Sequence, residues 1–440
     1  MTDQNKPSPK GLVIAAPNSN TGKTIFTMGL VGALRALGHK TEVAKAGPGF
    51  IDPQFLSLAT GRACYNLDKW ALGIDQLRAR AHHIATASDL LIIEGMMGMF
   101  DGAASIDGST ADIAATLDLP VLLLVDAGGQ AQSIAALVHG FATLRPEPRV
   151  CGVVATQVGS IGHSEMLREA LKETQIPYLG SVLRSDDLAI PSRHLGLVQA
   201  SEQSDPSELA VAAEKAVSSG VDLDSLINLA RPMVSEKAVT PLPPMGQRIA
   251  VARDTAFGFA YPHILDDWRA QGAEIKVFSP LANETPDQDC DAIYLPGGYP
   301  ELHCEALSHA DKFLSGLQNA AARNAVIYGE CGGYMVLGRV LIDANGQGHE
   351  MAGLLDHVTS FHNRKMHIGY RQLTPLQNDI WSDTLRGHEF HWSTVQDAGT
   401  DAPLFHQTDA RNVDLGPTGG RRGTVMGSYA HIIDRAPLRA

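Results

Sequence analysis

Short, continuously apolar runs alternate with helix-patterned stretches along the first half of the chain. The runs are Gly11–Ala16, Thr41–Ala46, Asp89–Ile93, Pro120–Asp126, Val150–Thr156 and Pro177–Leu183, and helical periodicity covers Gly22–Leu37, Ser133–Leu144 and Ser164–Thr174. Strands that are apolar at every position need cover on both faces, which is the signature of a parallel sheet with helical crossovers. Such α/β sheets place ligands at the carboxyl ends of their strands. The alternation breaks after Ser201, where acidic, Ser-rich helical sequence passes into RPMVSEKAVTPLPPMGQ, ending at Gln247. Its prolines can neither donate to a sheet nor sit inside a helix. The pattern then restarts with strands expected at Arg248–Ala252, Glu274–Phe278, Asp291–Leu295 and Ala325–Tyr328, and helices at Pro262–Gln271 and His309–Arg323. The expected organisation is an α/β domain over residues 1–200, a helical segment and linker over 201–247, and a second α/β domain over 248–440.

Charge narrows the partners. In 440 residues, 35 Lys and Arg against 48 Asp and Glu leave a net charge of −13. That balance disfavours nucleic acid and anionic membranes as general partners, so an anionic substrate needs a local basic patch. The five cysteines (Cys64, Cys151, Cys290, Cys304 and Cys331) are scattered and form no CxxC pair. This argues against a disulfide framework and against a structural zinc site. Gly11–Ala16 is too short to span a membrane, and the polar start MTDQNKPSPK lacks the layout of a signal peptide. The expectation is a cytoplasmic, soluble protein.

The first run leads into Ala16-Pro17-Asn18-Ser19-Asn20-Thr21-Gly22-Lys23-Thr24, which opens a helix. A phosphate-binding loop needs inward-facing backbone N–H groups, a helix N-terminus, a Lys and a hydroxyl for magnesium. Asn20, Thr21, Gly22, Lys23 and Thr24 supply these, although Pro17 stands where the first Gly of such loops is usual. An ordinary strand–loop–helix junction with a chance GKT is the bland alternative. Asp89–Ile93 delivers Glu94 at a strand end, where a carboxylate near a phosphate loop can hold Mg²⁺. Asp101, before Gly102, suits a turn as well as a metal. Asp52, before Pro53, reads equally as a turn acid.

In the second half, Tyr328-Gly329-Glu330-Cys331-Gly332-Gly333-Tyr334 puts a cysteine between small residues at a strand-to-helix junction. This is a nucleophile elbow with sulfur in place of oxygen, and a helix N-terminus is expected to lower the thiol pKa. Such a thiolate can attack a carboxamide and release ammonia. Backbone N–H groups at Gly297 and Gly298, in Leu295-Pro296-Gly297-Gly298-Tyr299, offer an oxyanion hole. His431, far downstream in GSYAHI, is placed as the histidines of class I glutamine amidotransferases are. A buried structural thiol is the alternative for Cys331, and the other cysteines are read as structural. GHEFHW carries His388 and His391 in an HxxH spacing, but on a strand residues three apart face opposite ways. A metal pair is therefore rejected there, and the two are left as junction-lining or core residues. His82 and His83 are read as solvated.

Taken together, APNSNTGKT, KAGPGFIDP, CYNLDKWALG, IIEGMMGMFDG, STADIAATLDLPVLLLVDA, PSRHLGLV, VARDTAFGFAYP, LPGGYPEL, GECGGYMVLG, GHEFHW and GSYAHI resemble the cobyrinic/hydrogenobyrinic acid a,c-diamide synthases over about residues 11–434. The resemblance implies a dethiobiotin-synthetase-like P-loop domain joined to a class I glutamine amidotransferase domain that lacks the usual glutamate after its histidine. Here Ile432-Ile433 follow His431. It implies ATP-dependent formation of acyl phosphates on the a- and c-acetate carboxylates of a corrinoid polycarboxylate, and their amidation by ammonia from glutamine. By matching motifs, Lys23 and Thr24 would bind nucleotide phosphate and magnesium, Glu94 and Asp52 the metal, and Asp101 the substrate or metal. Cys331 would be the nucleophile and His431 its base. Lys45 and Arg193, with His194, would supply positive charge to the macrocycle, with a solvated face as the equal alternative. The chain departs from the family's GPDYIDPxFH at Gly49, Phe50 and Leu56, carries Asn20 where Gly is common, and reads Thr156-Gln157 at the base-recognition pair. A homodimer is left open.

The rival readings are a nickel-sirohydrochlorin a,c-diamide synthase, a partitioning-type P-loop ATPase, and a degenerate paralogue that binds corrinoid without chemistry. Cobyric acid synthase fits less well, since that family runs longer and lacks the LPGGYPEL form. The ATPase leaves Cys331 and His431 without a role.

Overall fold

A computed structural model describes residues 8–103, 107–189, 192–193, 196–197, 206–234, 237–378 and 380–437, with only the backbone given for 192–193, 196–197 and 206. The chain divides into two compact units, Met1–Thr240 and Pro241–Ala440.

The first unit is built on parallel strands β1 (Lys10–Ala15), β2 (Thr41–Ala46), β3 (Tyr65–Leu67), β4 (Leu90–Glu94), β5 (Val121–Asp126), β6 (Val150–Val158) and β7 (Tyr178–Leu183), in the order β3-β2-β4-β1-β5-β6-β7. Every residue of β2 and β4 is buried, as both-face burial of an apolar strand requires. One core, on one face of the sheet, contains Val13, Ile93, Leu123 and Ile134. The other contains Leu12, Ile14, Phe26 and Leu122. Because β1 lies between β4 and β5, the loop that follows β1 and the end of β4 open side by side: Ile14 pairs with Glu94.

Two departures from the sequence reading concern boundaries. Residues 51–60 form a helix, Ile51–Thr60, with Asp52 in its first turn, so Asp52 sits on a helix N-terminus rather than in a free turn. The stretch expected to link the domains is largely part of the first unit. Helix Pro206–Gly220 packs on α1 (Lys23–Ala36) so closely that a Cβ on Gly29 would stand 2.3 Å from the Ala213 carbonyl oxygen. Farther on, Arg231–Pro232 adds antiparallel to β1. The helical sequence had no alternation with strands to mark which sheet it would cover.

The second unit contains a sheet ordered Glu274–Phe278, Arg248–Ala252, Ala292–Leu295, Val326–Glu330, Val425–Ser428 and Gly420–Arg422, parallel except for the last hairpin. Beside it lies a five-stranded antiparallel sheet in the order Asp414–Thr418, Phe405–Asp409, His367–Pro375, Leu385–His391 and His431–Arg435. The expected α/β class holds for both units. Among the described residues no helix is long and apolar enough to cross a membrane.

Candidate functional site

In the first unit, the loop after β1 ends on Gly22 at φ 82°, the residue before α1, and that helix start has neither a side-chain cap nor an acid in its first turn. Its N–H groups and positive dipole end are thus open to an anion. Asn20 is left-handed at φ 63°. Thr21 is buried, and its carbonyl accepts from the Thr156 hydroxyl at 2.8 Å. Lys23 donates to the carbonyls of Asn18 (3.0 Å) and Met97 (2.7 Å). Burial and the Lys45 charge pull its ammonium down to about 8.

At the end of β4, Glu94 is wholly buried. Its Oε1 accepts from Thr24 Oγ1 (3.1 Å) and Lys45 Nζ (2.7 Å). Lys45 also pairs with Asp52 at 2.6 Å. Strand register causes this, since Lys45 on β2 lies opposite Glu94 on β4. Lys45, expected to offer charge to a macrocycle, instead has its ammonium between two carboxylates. Burial alone would lower it, but Asp52 and Glu94 outweigh that and hold it above the ordinary lysine value. Glu94 Oε2 is buried with no hydrogen-bond partner. Two carboxylates, one of them with an orphaned buried oxygen, and a hydroxyl form a hard-oxygen donor set that fits Mg²⁺, with the Lys45 ammonium between the carboxylates. Asp101 is exposed and accepts from the Gly98 N–H (2.8 Å), so here it closes a turn. The side chain of Arg193 and residue His194 lie outside the described structure.

In the second unit, three strand ends meet. Leu295 pairs with Gly329 and Glu330 with Ser428, so the turns carrying Gly297, Cys331 and His431 leave the same edge of the sheet. Cys331 sits at φ 47°, ψ −107°, the strained turn expected of an elbow. Its N–H donates to the Ser428 carbonyl at 2.9 Å. Gly333 is required there, because a Cβ on it would stand 1.9 Å from the Leu295 carbonyl oxygen. A Cβ on Gly297 would stand 2.3 Å from His431 Cε1, 3.0 Å from Nε2 and 3.1 Å from Cys331 Cβ. Imidazole and thiol stem therefore converge on one small space floored by Gly297. The Gly298 nitrogen abuts Gly332 closely enough that a Cβ there would be 3.2 Å away, which leaves its N–H beside the nucleophile turn.

The expectation of a lowered thiol pKa is corrected. Cys331 is 3% exposed, and burial, then the Glu301 charge, raises the thiol well above its usual value despite the Gly332 N–H. His431 is lowered to about 3 by burial and by His388 and His391. Both shifts favour the neutral thiol–imidazole pair, so the thiolate forms only together with the imidazolium.

The GHEFHW segment is strand Leu385–His391, and its two histidines do not face one another. His391 Nε2 is 2.9 Å from Glu389 Oε1 and its Nδ1 is 2.8 Å from Ser393 Oγ. Arg371 holds the other Glu389 oxygen at 2.7 Å. His367, Glu389 and His391 bring ligand atoms within 4.8 Å of one another, yet Arg371 and Ser393 already satisfy Glu389 and His391 without an ion. His388 is held low, to about 4, by burial and Arg371. One residue beside the nucleophile was not singled out from sequence: buried Glu330, whose Oε2 lies 3.9 Å from His431 Nδ1. Its only signal was its place next to Cys331.

Residues 12–198 match the family described as the CobQ/CobB/MinD/ParA nucleotide binding domain, and residues 248–437 match the CobB/CobQ-like glutamine amidotransferase domain. The chain is 48% identical over 429 residues to a hydrogenobyrinate a,c-diamide synthase of Brucella anthropi, covering 97% of this chain and 98% of that protein. It is 49% identical over 429 residues to that of a Sinorhizobium species, at 97% and 99% coverage. Against that of Rhizobium meliloti it is 49% identical over 425 residues, at 96% and 99%. The similarity covers both units and nearly the whole length of these relatives, and the chain belongs to the hydrogenobyrinate a,c-diamide synthase family.

Proposed function

We propose that the protein uses ATP and glutamine to convert the a- and c-acetate carboxylates of hydrogenobyrinate into primary amides, in the cytoplasm. The observation that carries this reading is near-half identity to the relatives across both units. A carboxylate is a poor electrophile until one oxygen becomes part of a leaving group. In the first unit a substrate carboxylate oxygen attacks the γ-phosphorus, the bond to ADP breaks, and an acyl phosphate results. Lys23 and the N–H groups of Gly22–Thr24 hold the phosphates and meet the charge that develops on them. Thr24, Glu94 and Asp52 would hold Mg²⁺, which would supply further positive charge to the phosphoryl group. Ammonia then attacks the acyl carbon and phosphate leaves.

In the second unit, His431 Nε2 takes the Cys331 proton as the sulfur adds to the glutamine carboxamide carbon. The Gly298 N–H faces the oxyanion. The imidazolium returns the proton to the departing nitrogen, releasing ammonia and leaving a thioester that water hydrolyses to glutamate.

Mass spectrometry of hydrogenobyrinate incubated with protein, MgATP and glutamine tests the whole reading. The expected product has two hydroxyls exchanged for amino groups. Cobyrinate and nickel-sirohydrochlorin run in parallel identify the preferred acceptor, and no amidated product from any of them sinks the reading.

Gly297 gives a sharper test of the second unit. In Gly297→Ala the new methyl meets His431 Cε1 at 2.3 Å, so the ring has to move. A displacement on the 1 Å scale should cut glutamate release by about 10²-fold, while amidation from added ammonium salt persists. A variant with normal glutaminase turnover would contradict the placement of His431.

A further inference from the structure

Ile432 and Ile433 follow His431, so the two positions after the base carry no carboxylate, yet proton transfer from Cys331 creates an imidazolium in surroundings where burial, His388 and His391 all oppose its charge. A compensating anion is needed. Two carboxyls lie near the ring, Glu389 and Glu330. Glu389 is already committed to cationic Arg371 (2.7 Å) and to His391 (2.9 Å). The hydrogen-bond donors to Glu330 are neutral: Tyr294 Oη donates to its Oε2 at 2.7 Å, and the Ile432 N–H donates to its Oε1 at 3.1 Å. Its charge is not spent on a cation.

We infer that Glu330, the residue immediately before the nucleophile, is the positioning acid of the glutaminase centre, orienting His431 through Nδ1 and balancing the imidazolium. This deepens the proposed glutaminase reading and rests on it. Glu330 grips the histidine segment twice. Oε1 fixes the backbone of Ile432, one residue past the base, and Oε2 stands 3.9 Å from Nδ1. That distance is longer than a hydrogen bond, as substrate-free catalytic contacts often are before closure shortens them. Tyr294, which pins Oε2, is itself held edge-on by Trp268 at 5.7 Å and stacked with Tyr328 at 6.4 Å, so the carboxyl cannot swing away. Burial pushes the Glu330 carboxyl up to about 8, and a neighbouring imidazolium would pull it down again. No proton passes to Glu330: Nε2 accepts from sulfur, the Nδ1 proton stays in place, and the carboxylate faces it. The Phe259 carbonyl also acts on the ring, and the experiment separates the two.

Glutamate release and the pH dependence of Cys331 alkylation by iodoacetamide are measured on full-length wild type, Glu330→Gln, Glu330→Asp and Tyr294→Phe. Glu330→Gln is expected to lower kcat by about 10²-fold with KM for glutamine within about threefold. Its alkylation midpoint should rise by more than one pH unit, Glu330→Asp should recover part of both, and Tyr294→Phe should lose less than Glu330→Gln. Ammonium-driven amidation should stay at the wild-type rate in all three. Glu330→Gln with wild-type kcat and alkylation profile overturns the inference and leaves Phe259 as the orienting group. If the Glu330 variants lose ammonium-driven amidation as well, ¹⁵N-histidine spectra of the wild type decide, with His431 assigned by His431→Asn: an Nδ1–H tautomer supports the inference and an Nε2–H tautomer overturns it. Glutamate release that survives Cys331→Ala defeats the underlying glutaminase reading instead.

Discussion

Cys331→Ala should abolish glutamate release, by at least about 10³-fold, because removing a nucleophile removes the covalent route altogether. Amidation driven by ammonium salt should continue near the wild-type rate. The nucleophile lies within Pro241–Ala440, whereas the phosphate loop belongs to Met1–Thr240, so the loss of sulfur leaves the acyl-activating groups untouched. Folding should tolerate the change well: Cys331 is a buried member of a hydrophobic core, and alanine removes one sulfur atom without leaving a polar group unpaired. The strained backbone, φ 47°, costs alanine about what it costs cysteine. Equal loss with glutamine and ammonium would mean that Cys331 serves the fold and not the chemistry. Cys331→Ser is expected to be nearly as inactive, since a neutral hydroxyl beside an imidazole held near 3 is a far poorer nucleophile than a thiol.

The elbow was legible because it is local. Small residues around Cys331 and a strand before it are enough to predict the turn, and the structure has both. His431 was legible only by its distance downstream, and the geometric reason emerges from pairing: Val425–Ser428 lies beside Val326–Glu330, so their ends share an edge. What failed was the electrostatic inference. A helix N-terminus predicts a low thiol pKa, but the helix after Cys331 runs only Gly332–Leu337 with every residue buried, and desolvation wins. Glu330 was invisible for a related reason. Nothing in the order of residues says that a carboxyl next to Cys331 will reach His431, one hundred and one positions later, through a neighbouring strand.

The first unit shows the same division. Apolar runs located the strands because burial on both faces demands them. Tyr65–Leu67 escaped notice because it is three residues long. The charges of Lys45, Asp52 and Glu94 were each noticed separately, but their union depends on β2 lying beside β4, which periodicity does not reveal. Removing Lys45 from such a buried group would leave carboxylates uncompensated, which makes it a poor choice for probing the substrate. Of the antiparallel strands of the second unit only the GHEFHW stretch was read as a strand; the others were missed because their burial is broken: His367–Pro375 buries only two of its nine residues, too weak a pattern to read.

Lys23→Ala should lower amidation by roughly 10³-fold with glutamine and with ammonium alike, a loss of the size seen when a preorganised charge is removed from a transition state. Glutamate release should survive. The ammonium is pinned between the Asn18 and Met97 carbonyls at 3.0 and 2.7 Å, which places it over the open start of α1, where phosphate oxygens are drawn by the N–H groups. Phosphoryl transfer gathers negative charge there, and alanine removes the lysine charge that meets it beside the helix end. Lys23→Arg is expected to rescue little, because Lys23 is only 8% exposed and a planar guanidinium does not fit a pocket shaped to a compact ammonium. Product formation under both nitrogen sources measures the effect, and calorimetry with a non-hydrolysable ATP analogue separates lost binding from lost chemistry. A Lys23→Ala enzyme that keeps ammonium-driven amidation within a few-fold of wild type would remove the phosphate role from this loop, and the acyl phosphate would have to be made elsewhere.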